Sequence, residues 1–173
     1  MRMLLLVPLP AVVVLMLVLL AMLPWGGPAW LEMALALTAL GAIYFWSVRR
    51  PRLLPAPVVF VSGLLLDVMT QGPLGVWAAA ALIVALAARL ERQSRVHLGM
   101  LRRVASIAAA LALSVCVVAV VTSLHQWQLV ALRPVGEALI VAVLAYPFLA
   151  GMLSLLDGLW PVVDGRSLFL RGD

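Results

Sequence analysis

Long apolar runs without a charge recur along this chain, and they leave it very few ways to fold. Leu4–Leu23, Val104–Leu124 and Ala138–Leu156 contain no charged residue, and Trp30–Val48 carries only Glu32. A bilayer core of about 30 Å takes about 20 helical residues, so each of these four runs is a comfortable span. Two shorter runs, Pro55–Thr70 and Pro73–Ala88, lie between them. At about 1.5 Å of rise per residue they reach roughly 24 Å. Either they span, with their shared turn sunk in protein, or they form a re-entrant hairpin. The hydrophobicity is continuous rather than alternating, which excludes a closed barrel.

Composition leads the same way. Of 173 residues, 66% are hydrophobic and 11% charged, whereas a soluble domain carries about 25% charged residues. So small a chain cannot hide that much apolar surface in its own interior, and lipid must be its solvent. The longest polar stretch, Arg89–Arg103, is too short to bury a core. The expected fold class is therefore an all-α polytopic membrane protein forming a single transmembrane domain over 1–173. Six transmembrane helices are expected at about 4–23, 30–48, 55–70, 73–88, 104–124 and 138–156, followed by a tail at 157–173.

Arginine placement sets the orientation. In a six-span model Arg49, Arg50 and Arg52 fall on the same side as Arg89, Arg92, Arg95, Arg102 and Arg103, and Arg2, Arg166 and Arg171 join them. Only Arg133 lies opposite. The positive-inside rule then makes both termini and both basic linkers cytoplasmic. A re-entrant hairpin would sort the charges identically. The first run is too long for a signal peptide, and LPWGGPAW makes a poor cleavage site. Trp25, Trp30, Trp127 and Trp160, with the Tyr44-Phe45-Trp46 cluster, read as an interfacial aromatic belt. The net charge of +5 orients the chain and meets anionic head groups rather than nucleic acid. The single cysteine, Cys116, reads as a small packing residue.

Asp67 closes the third run. A carboxylate there is expensive in lipid and needs a partner or a task. It either binds a cation, relays a proton or holds a neighbouring helix, or it accepts backbone N–H groups. The second reading is favoured: the acceptors' partners would be the Gln71-Gly72-Pro73 turn and the start of the fourth helix. Pro73 suits a first helical position, Gly72 supplies unusual backbone angles, and a helix N-terminus favours negative charge. Gly63, one turn before Asp67, permits close helix approach and should face protein together with it. Gly75 with Ala78–Ala81 offers a small-residue face for a partner helix. Tyr146-Pro147 interrupts the last helix, where proline removes a backbone hydrogen bond.

Glu32 and Glu137 lie at helix starts, and Arg133 with Glu137 is spaced to pair on one face. Asp157 ends a short SLLD stretch resembling the GLLLD that ends at Asp67, a faint trace of an internal repeat. His97 and His125 lack companions for a metal. The serines lack a paired His and Asp, and no P-loop is present. The chain is therefore expected not to be an enzyme, with no catalytic, cofactor-binding or metal-binding residues.

Residues 49–57 (RRPRLLPAP) lead into F60-V61-S62-G63-L64-L65-L66-D67-V68-M69-T70-Q71-G72-P73-L74-G75. This region, with its G-x-x-x-D-x-x-x-x-G-P-x-G pattern, resembles the signature of the MreD family of rod shape-determining membrane proteins. The short chain, the basic linker after segment four and Tyr146-Pro147 agree with that. The resemblance implies a multi-pass protein of the bacterial inner membrane in the cell-elongation machinery, without catalytic activity. Its implied main partner is MreC, with MreB, RodA and a penicillin-binding transpeptidase in the wider complex that supports peptidoglycan synthesis. It also implies a fold similar to the substrate-binding subunit of energy-coupling-factor transporters. A chain of this kind acts as a scaffold through helix surfaces and lipid contacts. The rival is a small-solute, vitamin-like carrier, which the scarcity of polar residues within the helices argues against.

Overall fold

A computed structural model describes residues 9–21, 23, 26–70, 73–93, 100–127 and 131–159. Among these residues it is all-helical, with no strand. The six helices are α1 (Leu9–Ala21), α2 (Ala29–Arg49), α3 (Ala56–Thr70), α4 (Val76–Gln93), α5 (Met100–Gln126) and α6 (Leu132–Leu159). Three of them, α2, α5 and α6, are long and apolar enough to cross a membrane, while α1 and α3 are shorter apolar helices.

Prolines set several boundaries. Pro28, with φ −65° and ψ 151°, stands just before α2. At the other end the Arg50 N–H closes on the Trp46 carbonyl at 2.7 Å, and Pro51 cannot continue the helix. Pro55 then opens α3, its carbonyl accepting from Val58 at 3.0 Å and Val59 at 3.3 Å.

The apolar runs misplace some ends. The fourth helix starts at Val76 rather than Pro73, because Pro73, Leu74 and Gly75 form a turn that the Val76 N–H closes on the Pro73 carbonyl at 3.4 Å. Pro73 is therefore ahead of the helix, not in its first turn. At its other end α4 continues past Ala88 to Gln93, and α5 begins at Met100 rather than Val104. Similarly, α6 starts before residue 138 and runs through Pro147 without a break in the helix. Apolar runs mark where a helix tolerates lipid, whereas backbone hydrogen bonding carries it on into polar sequence. One exposed i,i+4 pair decorates such an extension, Arg133 Nε to Glu137 Oε1 at 3.0 Å; pairs of this kind add little stability.

α2 is the central helix. It packs on α6 and α4, and also on α1, and contributes Leu37, Leu40, Ile43 and Trp46 to the core. The Tyr44-Phe45-Trp46 cluster, expected in the interfacial belt, instead has its side chains buried within the bundle, at 1%, 5% and 1% exposure. Helix spacing explains the discrepancy: α2 is surrounded by neighbours, so even its last two turns face protein. Trp127, by contrast, is exposed. Trp25 and Trp160 lie outside the described residues. Cys116 faces outward rather than packing inside. The outer helices show the reverse of α2, with Leu113 and Val120 on α5 and Ile140, Leu144 and Phe148 on α6 all exposed.

Candidate functional site

The corner between α3 and α4 is built on Asp67, which is only 1% exposed. Its Oδ1 accepts the Trp77 N–H at 2.7 Å, and its Oδ2 accepts those of Gly75 at 2.9 Å and Ala78 at 3.2 Å. The donors are thus the turn residue Gly75 and the first turn of α4, groups that have no partner within their own helix. A carboxylate suits them because it offers two acceptor oxygens and opposes the positive end of the helix dipole. Gly75 has φ +97°, a backbone conformation that glycine adopts without strain. Gly72, assigned that role from sequence, lies outside the described residues.

Gly63 fixes how close the two helices come. A Cβ built there would stand 2.4 Å from the Ala78 Cα and 2.8 Å from both the Ala78 nitrogen and the Trp77 carbonyl oxygen. All three are backbone atoms that cannot rotate aside. Ala78, Ala80 and Ala81 are all buried, Ala80 with its carbonyl 3.3 Å from the Ser114 hydroxyl of α5. The small-residue face expected to receive a partner helix is therefore already occupied inside the bundle, where α4 packs on α2, α3 and α5.

A second cluster lies at the arginine-bearing end. Asp157 near the end of α6 takes two arginines from the end of α2, Arg49 at 3.1 Å and Arg50 at 2.7 Å. Arg49 also lies over the Phe45 ring, 4.8 Å from its centroid. Arg89 of α4 reaches the Leu54 carbonyl at 3.4 Å. Deeper in, the Tyr44 hydroxyl donates to Glu91 and stands 2.8 Å from the Ser106 hydroxyl, joining α2, α4 and α5. Tyr44→Phe should cost about 1–3 kcal/mol, because it removes a hydrogen bond to the half-buried Glu91 carboxylate. The thermal midpoint of the purified protein measures this, and an unchanged midpoint would show that the triad does not tie the helices.

Beside this cluster a cleft of about 460 Å³ opens between α2, α5 and α6, with Glu91 of α4 also lining it. It exists because α6 packs chiefly on α2 and far less on α5. Phe45, Val48, Val104 and Ala150 give it an apolar floor, while Arg49, Arg103 and Tyr146 supply polar groups. The Tyr146 ring meets Tyr44 edge-on, with centroids 6.2 Å apart.

The seven residues singled out from sequence thus divide. Gly63, Asp67 and Gly75 meet in the α3–α4 corner, with Pro73 in its turn. Tyr146 and Pro147 line the cleft, to which α3 contributes nothing. Sequence reading passed over Glu91, Ser106 and the specific place of Arg103. For Glu91 a signal was present: the buried stripe Trp77, Ala81, Val84, Ala88 reaches it at the next helical step of three. Its partner Tyr44 is 47 residues away, which no local pattern announces. Among the described residues no group of three or more His, Cys, Asp or Glu is placed to hold a metal ion.

Compared with protein-family models, curated proteins and solved structures, the chain has no match.

Proposed function

We propose that this chain is a membrane-embedded, non-catalytic scaffold of the MreD kind, which holds the transmembrane helix of an MreC-like partner and supports wall synthesis during elongation. The observation that carries the reading is the use made of Asp67. The acid at the heart of the MreD-like pattern has both oxygens committed to backbone N–H groups of Gly75, Trp77 and Ala78. The pattern therefore builds a rigid corner rather than a solute site. In this reading all six helices cross or enter the bacterial inner membrane, with both termini cytoplasmic. Supporting that orientation, Arg49, Arg50 and Arg103 gather at one end of the bundle, whereas Arg133 lies at the opposite end of α6.

With Ala78, Ala80 and Ala81 buried, a partner helix is left the outward apolar faces; α1, α3 and α4 expose some, at Met16, Val61 and Leu86 for example, and the two longest helices, α5 and α6, expose Leu113, Val120, Ile140 and Leu144. Cysteines placed singly at Leu113, Val120, Ile140 and Leu144, in a Cys116→Ala background, should crosslink to the partner's helix on one of these faces. Crosslinks at none of them, with a control pair on α3 and α4 working, would remove this surface. Depletion tests the function itself: cells should lose rod shape while solute uptake continues.

The cleft at the arginine-bearing end favours a small-solute carrier instead. Its volume falls within the range of about 300–1,000 Å³ typical of ligand pockets. Lost uptake of a nutrient with normal cell shape would establish that reading.

A further inference from the structure

Not every polar group around the cleft is committed. Tyr44 is spent on Glu91 and Ser106, Arg49 is shared with Asp157, and Ser154 donates to the Gly151 carbonyl at 2.7 Å. Among the described residues Arg103 and the Tyr146 hydroxyl have no hydrogen-bond or ion-pair partner, and both line the cleft. What remains unsatisfied is therefore donor capacity backed by positive charge, the requirement of a phosphate oxygen. The rest of the lining is apolar, from Phe45, Val48, Val104, Pro147 and Ala150. At about 460 Å³ the space is several times the volume of a bare phosphate. The occupant should carry apolar substance as well as an anionic oxygen.

We propose that this cleft binds an anionic phospholipid, its phosphodiester held by Arg103, Arg49 and the Tyr146 hydroxyl and its first acyl carbons lying along Phe45, Val48 and Pro147. The proposal rests on the membrane reading above, in which the arginine-bearing end meets the cytoplasmic leaflet, where anionic lipids attract basic side chains. Glu91 also lines the cleft, and its carboxylate disfavours a second negative charge beside it. The phosphodiester therefore belongs on the Arg103 side, between α5 and α6.

Gly151 provides a clean test. It lines the cleft, and a Cβ built there meets nothing within 4 Å, so a side chain can start there without displacing a neighbour, and Gly151→Phe adds bulk at the cleft. The full chain, purified in mild detergent, is offered phosphatidylglycerol and phosphatidylcholine of matched acyl chains, and bound lipid is counted by native mass spectrometry. Wild type should retain phosphatidylglycerol in preference. Arg103→Gln should lower that retention about tenfold, the factor expected for one lost charge-assisted hydrogen bond, and Gly151→Phe should lower it at least as far. Tyr146→Phe, which removes only a hydroxyl, serves if the larger change unfolds the chain, and should also reduce retention. Arg133→Gln, at the other end, should leave it unchanged.

Equal retention of the two lipids by wild type would overturn the proposal, as would cleft variants that hold lipid like wild type. Inorganic phosphate that binds the cleft and displaces the lipid at millimolar concentration would also overturn it, by identifying the free ion as occupant. Alkaline carbonate extraction separates the two levels of failure. A chain released from membranes sinks the membrane reading and this site with it, whereas an embedded chain without lipid preference sinks the site alone.

Discussion

Asp67→Leu should prevent the protein from accumulating in folded form. Leucine has the branching and heavy-atom count of aspartate with bulkier ends, so the change leaves no void. It removes the acceptor for three backbone N–H groups, those of Gly75, Trp77 and Ala78. A buried donor stripped of its partner costs about 1–3 kcal/mol, and three of them together rival a typical total stability of about 5–15 kcal/mol. In the proposed membrane setting, surrounding lipid offers no water to rescue them. Asp67→Asn keeps one acceptor oxygen and the shape. It should lose about 1–3 kcal/mol, yet still yield an assembled protein. Expression level and thermal midpoint in detergent read both variants. A leucine variant that accumulates and melts like wild type would show that Asp67 does not hold the corner, and the scaffold reading would lose its main support.

The corner was legible in sequence because its parts are close together. Asp67 and its three donors lie within eleven positions of one another, and the Gly72-Pro73 pair between them is a turn former whose chemistry is local. Helical class was legible for a similar reason, since an unbroken apolar run has one favourable backbone in lipid. Helix ends were less so. Hydropathy falls at the first charge, but α4 carries on through Arg89, Glu91 and Arg92, and α6 begins ahead of Glu137.

The cleft was hardly legible at all. It depends on α2 lying at the centre with α6 against it, a tertiary choice that apolar runs of equal strength do not encode. Tyr44, Glu91, Ser106 and Arg103 each look like ordinary end-of-helix residues until three helices, α2, α4 and α5, bring them together. The same blindness misassigned Ala78–Ala81. A small-residue stripe announces close packing, but whether the neighbour belongs to this chain or to a partner is not written in the stripe. Gly63 decided it from fifteen residues away, by contact with Ala78.

That contact carries the other large expected effect. Gly63→Val should separate α3 from α4, because its Cβ would fall 2.4 Å from the Ala78 Cα. Overpacking a tight contact costs about 1–3 kcal/mol when side chains can yield. Here the opposing atoms are backbone, so the helices themselves must move apart. Any such movement carries the Trp77 and Ala78 N–H groups away from Asp67, whose bonds to them are 2.7 and 3.2 Å. Even Gly63→Ala should therefore lower the thermal midpoint, and Gly63→Val should approach the damage done by Asp67→Leu. Because both residues act on one helix pair, the effects should not add: with Gly63→Ala present, Asp67→Asn should cost clearly less than it does alone. A double-mutant cycle of thermal midpoints measures this coupling. Simple additivity would mean that glycine and acid stabilise separate features, and that the corner is not one mechanical unit.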